Sequence, residues 1–304
     1  MTTTRKFRGT IVPMVTPFTP SGQLDDAAVE RITAHISGQR LGIFVLGTTG
    51  EAASIPGSER RRLVEIVATV TRGRVPVFAG IGDNCVGDSV SAAHDYLKVG
   101  ADAVVAHLPS YYTLTPAEMR AYFETLADGI HGSLILYNIP QTTHMSLPID
   151  VVQALADRPT IVGFKDSENT AGRLEQVVTR LGGREAFSIF MGTSFLSVAA
   201  LRCGFDGLVP SSGNLVPHLW RALEDAATAG RWTEAEALQA RLDLVARAFQ
   251  RGRTLGQSLG ALKAAMSARG LCGPTLHPPL LTLDESTCSA IVAEVAALGE
   301  TPPG

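Results

Sequence analysis

Short apolar runs rich in β-branched residues recur along the chain, and each ends in a polar cluster. They are TIVPMVTPF (10–18), GIFVLGTTG (42–50), PVFAGIGD (76–83) and AVVAHLPSYY (103–112), followed by SLILYNIP (133–140), TIVGFKDSE (160–168), FSIFMGTSF (187–195) and FDGLVPSSG (205–213). Such runs read as buried strands. Between them lie segments whose apolar residues recur with helical period, among them 24–36, 59–70, 88–99, 116–130 and 147–157. Their starts carry helix signals: Pro116 in a first turn after Thr115, and Asp25 and Asp26 near an N-terminus. Eight strands alternating with helices at a spacing of roughly 30 residues predict an α/β fold, a (β/α)8 TIM barrel. Beyond the eighth strand the pattern is helical only, at 218–230, 232–250, 255–270 and 285–298. The expected organisation is therefore a barrel over 1–214, a C-terminal helical extension over 215–298 packed on its outside, and a frayed tail at 299–304.

A doubly wound open sheet is the rival architecture. Its dinucleotide-binding form needs a glycine-rich turn opening the first helix, whereas Gly80-Ile81-Gly82 falls at the third strand with Cys85 where a third glycine belongs.

Composition narrows the function classes. Among 304 residues, 45% are hydrophobic and 18% charged, enough apolar material for a large core. The net charge of −3 and the lack of any basic block longer than Arg60–Arg61–Arg62 leave nucleic acid or an anionic membrane little to bind. No run approaches the roughly 20 apolar residues of a membrane span, and MTTTRKFRG lacks the apolar stretch of a signal peptide, so a cytoplasmic protein is expected. Four scattered cysteines form no CxxC and read as small buried groups or free thiols. Seven histidines show no metal-binding spacing, so no metal is expected. His107 reads as a core histidine and His144 as an exposed loop residue. Neither a nucleophile elbow nor a phosphate-binding loop is present. A small-molecule partner is what remains.

In such a barrel, chemistry belongs on the loops after the strands. Alternation along Ile161-Val162-Gly163-Phe164-Lys165 sets Val162 and Phe164 toward the helices and turns Lys165 into the barrel, above the space left by Gly163. A buried amine loses its proton more readily and becomes a nucleophile for a carbonyl. The alternative is a strand-end lysine that reaches solvent or pairs with Asp166 or Glu168. On the preceding strand the same alternation turns Tyr137 inward, where a phenol can relay protons or simply fill the core. Gly47-Thr48-Thr49-Gly50 is a tight turn whose N–H groups and hydroxyls suit a carboxylate, or else an ordinary βα turn. Asp166 and Glu168 are expected to cap the next helix or join ion pairs.

With GTIVPMVTPF, GTTGE, PSYY, YNIP, GFKDSE and GLVPSSGN in this order and spacing, the chain resembles the dihydrodipicolinate synthase/N-acetylneuraminate lyase family from about Gly9 to the C-terminal helices. The resemblance implies a (β/α)8 barrel with extra C-terminal helices, usually a homotetramer built as a dimer of dimers. It also implies a lyase that forms a Schiff base with pyruvate and needs no cofactor beyond that imine. By the same token Lys165 corresponds to the Schiff-base lysine and Tyr137 to the proton relay. Thr48 and Thr49 match the threonines that hold the keto-acid carboxylate and extend the relay, Tyr112 the tyrosine inserted into a neighbouring subunit's site, and Gly192 and Val209 positions whose backbone lines the pocket.

Two departures bear on the second substrate. Lysine-pathway synthases carry an arginine two residues after the proline of the tyrosine segment, and here that place holds Thr142. Sialic acid lyases carry acidic residues just after the glycine matching Gly192, and here Thr193, Ser194 and Phe195 follow. A hydroxyl-rich lining of Thr142, Thr143, Ser167, Thr193, Ser194, Ser211 and Ser212 predicts a polyol aldehyde, as in aldolases of 2-keto-3-deoxy sugar acids. The alternatives are a synthase condensing pyruvate with aspartate semialdehyde, a keto-acid dehydratase working through the same imine, and a barrel that binds a keto acid without turning it over.

Overall fold

A computed structural model describes residues 7–299. From the N-terminus, β1 (Gly9–Pro13), α1 (Asp26–Ser37), β2 (Gly42–Val45), α2 (Gly57–Thr71), β3 (Val77–Gly80) and α3 (Val86–Lys98) alternate. They continue through β4 (Ala103–His107), α4 (Pro116–Gly129), β5 (Leu134–Asn138), the one-turn α5 (Pro140–Thr143), α6 (Ile149–Leu155), β6 (Ile161–Asp166) and α7 (Arg173–Leu181). The sheet is completed by β7 (Ser188–Met191), α8 (Ser197–Cys203) and β8 (Gly207–Leu208). After it come α9 (Pro217–Thr228), α10 (Trp232–Gln250), α11 (Leu255–Ser267) and α12 (Glu285–Ala297). All eight strands are parallel and close in sequence order, with Gly9 of β1 opposite Gly207 of β8. The fold is the (β/α)8 barrel that the alternation predicts.

The two faces of the strands build two apolar layers. Ile11, Phe44, Phe78, Val105, Ile135 and Phe190 point inward and pack on one another, with Phe7 closing the end from which the strands start. The outward faces join the helices in a much larger core that includes Leu134, Leu136 and Phe164. Filling the barrel with rings closes its interior, so a ligand that meets inward-facing side chains at the strand ends must enter from beyond the strands' C-termini.

Helix starts behave as their residues dictate. The Asp25 side chain accepts from Ala28 N–H at 3.0 Å, and Thr115 with Glu118 forms a capping box ahead of Pro116.

We place the end of the barrel one helix later than residue 214. Helix α9 lies against β1, and Glu224 accepts the Thr10 backbone N–H at 2.8 Å, so α9 completes the helical ring. The remaining helices do not simply coat the outside, as their pattern suggested. The corner between α10 and α11 bends over the mouth of the barrel, so that Gln250, Arg253 and Ser258 reach the same cavity as Lys165. All but the first residue of the tail expected at 299–304 falls outside the described residues.

Candidate active site

Lys165 lies near the C-terminal end of strand β6 beside Tyr137, its register partner on β5. Both are almost wholly buried, at 6% and 4% exposure. The lysine Nζ lies 3.6 Å from the centroid of the Tyr137 ring and 5.0 Å from that of Phe44. Burial pushes the amine's pKa below its ordinary value, against the pull of Tyr137. For the phenol, burial alone acts upward. The charge of Lys165, with its amine and the Ser167 and Thr48 hydroxyls interacting with the phenol, outweighs that and brings it down. The largest downward pull on Tyr137 comes from the charge of Lys165, so the two groups titrate as a coupled pair.

The route by which Lys165 faces inward differs from simple alternation. Strand β6 carries an extra residue relative to β5: Leu134 pairs with Ile161, but Ile135 pairs with Gly163. The bulge turns Val162 into the barrel and Ile161 outward, the reverse of the expected assignment, while Phe164 stays outward and Lys165 inward. Gly163 does not leave open space beneath the lysine either. A Cβ there would stand 2.8 Å from the Ser188 carbonyl, so the position is closed by the backbone of β7.

Polar residues behind the pair hold the ends of β5 and β6 together. The Asn138 amide donates to Asp166 at 2.8 Å and Glu168 at 2.9 Å, and its oxygen accepts from Leu147 N–H. The Arg173 guanidinium donates to Asp166 at 2.8 Å and to the Leu147 carbonyl at 2.9 Å. Asp166 and Glu168 thus join ion pairs, as one of their two expected roles had it. Asn138 and Arg173 are new: an asparagine in a strand and an arginine at a helix start give no signal until the fold sets them against the same carboxylate.

A cavity of about 290 Å³ opens over Lys165, within the lower range of small-molecule sites. Thr48 and Thr49 border it from the turn after β2, Ser167 from just past β6, Gly192 from the loop after β7 and Val209 from just past β8. Gly192 lets Ser167 sit close, since a Cβ there would fall 2.0 Å from the Ser167 Oγ and displace it. The N–H groups of Thr48 and Thr49 donate to no protein acceptor among the described residues, whereas the next three N–H groups close the turn onto Gly47 and Thr48 carbonyls. Thr193, Ser194 and Ser211 supply hydroxyls as expected, but Ser212 does not: it is buried and accepts from the Trp220 indole at 3.0 Å.

Thr142 is placed otherwise than expected. In α5 it is Gln141 that borders the lysine cavity. Thr142 and Thr143 line an adjoining hollow of about 460 Å³ together with His107 and Leu259, and the two hollows meet at Thr48 and Leu255. A single helical turn points consecutive residues about 100° apart, so one position decides which hollow a side chain serves. His107, whose Nδ1 lies 2.8 Å from the Leu108 carbonyl, is held by burial below the usual imidazole pKa. Tyr112 is 72% exposed on the loop after β4, edge-on to Tyr111, and does not border the lysine cavity of its own chain. His144 is an exposed loop residue.

At the other end of the barrel a hollow of about 510 Å³ is lined, among the described residues, by no lysine, and its acids are engaged. Glu224 accepts from Thr10 N–H and Asp206 from Ile189 N–H. Among the described residues no cluster of His, Cys, Asp and Glu is placed to hold a metal ion, and no helix is long and apolar enough to cross a membrane.

The geometry agrees with comparisons across known proteins. Residues 6–298 match the model of the dihydrodipicolinate synthetase family. A 4-hydroxy-tetrahydrodipicolinate synthase of Acidiphilium cryptum is 33% identical over 295 residues, covering 96% of this chain and 99% of that protein. One from Halorhodospira halophila is 30% identical and covers 94% and 95%. Among solved structures, dihydrodipicolinate synthase of Bacteroides thetaiotaomicron superposes with a TM-score of 0.91 at 27% identity, covering 97% of this chain and 99% of the other. YagE of Escherichia coli K12, a prophage protein of the same family seen in complex with pyruvate, gives the same score and identity over 97% and 100%. The chain belongs to the dihydrodipicolinate synthetase family, whose members are class I lyases that form a Schiff base between a lysine and pyruvate.

Proposed function

We propose that Lys165 forms the imine, and that the reaction cleaves a 2-keto-3-deoxy sugar acid to pyruvate and a hydroxylated aldehyde. The observation that carries the imine is the buried amine of Lys165 against Tyr137 at the floor of a cavity where both meet Thr48. The neutral amine adds to C2 of the keto acid, and the carbinolamine loses water with a proton from the Tyr137 phenol. The substrate carboxylate rests on the N–H groups of Thr48 and Thr49. The C4 hydroxyl gives its proton to the Tyr137 phenolate as the C3–C4 electron pair passes into the iminium. An aldehyde and an enamine result. The enamine takes a proton at C3, and water then releases pyruvate and frees the amine. The reverse sequence is an aldol addition. Tyr112, projecting from its own chain, would complete the relay from a second copy in a dimer of dimers.

The preference for a hydroxylated aldehyde rests on the cavity wall. Thr193, Ser194 and Ser211 border it, and among the described residues no aspartate, glutamate or histidine does. Aspartate semialdehyde would bring an ammonium that finds no anionic partner there. The synthase reading has its own support, since curated relatives at 30–33% identity carry that name.

Borohydride reduction with pyruvate followed by mass spectrometry tests the imine: a reduced adduct on Lys165 is expected, and its absence at saturating pyruvate sinks the proposal. Comparing kcat/KM for aspartate semialdehyde addition with that for cleavage of two 2-keto-3-deoxy sugar acids, one ending in a hydroxyl and one in a second anionic group, separates the two substrate readings. Efficient use of the former overturns the sugar-acid assignment.

A further inference from the structure

The cavity over Lys165 has one other permanent charge on its wall, Arg253, and it comes from outside the barrel's strand loops. Arg253 sits in the corner between α10 and α11, half-buried. Its Nη1 donates to the Ala248 carbonyl at 3.0 Å and lies 3.5 Å from that of Arg251, which ties the guanidinium to the last turn of α10. No carboxylate of the described residues lies within ion-pair distance of it. Gln250 and Ser258 stand on the same wall, one on each flanking helix.

The charge balance during the reaction gives this arginine a use. Resting on the imine reading above, the keto-acid carboxylate is taken by the Thr48–Thr49 turn and the Lys165 amine is consumed in the imine. Arg253 is then the remaining fixed cation of a cavity that no acidic side chain borders. A guanidinium held by only one nitrogen keeps donors available for an anion, and its planar fork matches a carboxylate or phosphate oxygen pair. We infer that Arg253 recognises an anionic group at the far end of the second substrate, so that the fragment released as aldehyde is an acidic one. The substrate is then a hydroxylated 2-keto acid with a second anionic terminus. Thr142, two residues after Pro140 and facing the adjoining hollow, is relieved of that task by the C-terminal helices.

The test compares three aldol acceptors with pyruvate: a neutral polyol aldehyde, the matching aldehyde acid, and the matching aldehyde phosphate. Each is run with the wild type, Arg253→Met and Arg253→Lys, and borohydride trapping of pyruvate on the wild type accompanies the assays. The wild type should favour an anionic acceptor, and the more efficient of the two identifies its group. Arg253→Met should lose about 10- to 100-fold in kcat/KM on that acceptor and little on the neutral one, as expected for a charge-assisted hydrogen bond of about 1.5–3 kcal/mol. Arg253→Lys should recover part of the loss. A wild type that favours the neutral acceptor, or an equal fall on all acceptors in Arg253→Met, overturns the inference while a trapped adduct leaves the imine standing. No adduct on the wild type overturns both.

Discussion

Lys263 on α11 and Glu51 in the turn after β2 form an ion pair with both side chains fully inaccessible. The ammonium also donates to the Thr275 carbonyl at 2.8 Å and lies 4.4 Å from the Phe18 ring centroid. Glu51 Oε2 accepts the His277 N–H at 2.9 Å, and Oε1 meets no donor other than the ammonium. Replacing Lys263 by methionine keeps most of the volume and strands that oxygen in a dry interior. Removing one partner of a buried pair costs about 3–5 kcal/mol. At the lower slope of roughly 2 °C per kcal/mol for a large domain, Tm should fall by about 6–10 °C. Glu51→Gln should cost a similar amount, because it leaves the ammonium unpaired. The double variant Glu51→Gln/Lys263→Met removes both charges, and should recover to within about 2 kcal/mol of wild type. Calorimetry and urea unfolding of all four proteins read this cycle. Singles within 1 kcal/mol of wild type, or a double variant as unstable as the sum of the singles, would refute the reasoning. Because Glu51 follows the Thr48–Thr49 turn by two residues, Lys263→Met should also raise KM for the keto acid below its melting range.

Other consequences are simpler to read. Tyr137→Phe should lower kcat by about 10²- to 10⁴-fold, the usual contribution of a positioned acid or base, checked by steady-state assay of cleavage. Arg173→Met leaves Asp166 buried without its cation and should destabilise by about 3–5 kcal/mol in urea unfolding; a change under 1 kcal/mol contradicts the role given to that pair. Gly192→Ala should displace Ser167 and weaken keto-acid binding, visible as a higher pyruvate concentration for half-maximal borohydride trapping. The trapping rate should fall on acidification, with its midpoint below the 10.5 of a free lysine, because the folded amine is depressed and only its neutral form attacks. The sign for stability is the same. Between the folded and unfolded pKa values the unfolded chain binds more protons, so the penalty of keeping Lys165 neutral shrinks as pH rises toward 10.5. A trapping midpoint at or above 10.5 contradicts the buried-amine account.

Periodicity along the chain was enough for the architecture. Eight apolar runs with intervening helical patterns can close only a few ways, and polar clusters at one end of every run placed the mouth of the barrel. Inward-facing Tyr137 and Lys165 followed from alternation, and Thr48 and Thr49 from the chemistry of a glycine-flanked turn. Those are local properties, set by neighbours one to four residues away.

What the tertiary structure decided is non-local. The bulge that exchanges Ile161 and Val162 arises because β6 must stay in register with β5 and β7 at once, a condition no single strand expresses. Gln141 rather than Thr142 borders the lysine cavity because the short helix after β5 starts at Pro140 and its rotation is fixed by packing. Asn138 and Arg173 acquire meaning only around the carboxylate of Asp166, and Lys263 only against Glu51. Arg253, in a helical region that looked like external padding, enters the wall because the α10–α11 corner folds over the barrel mouth. The sequence by itself determined which strand ends carry the buried lysine and tyrosine, since backbone periodicity is written residue by residue. Which charges surround those groups was decided by contacts between segments far apart in the chain, and those contacts exist only once the barrel has closed.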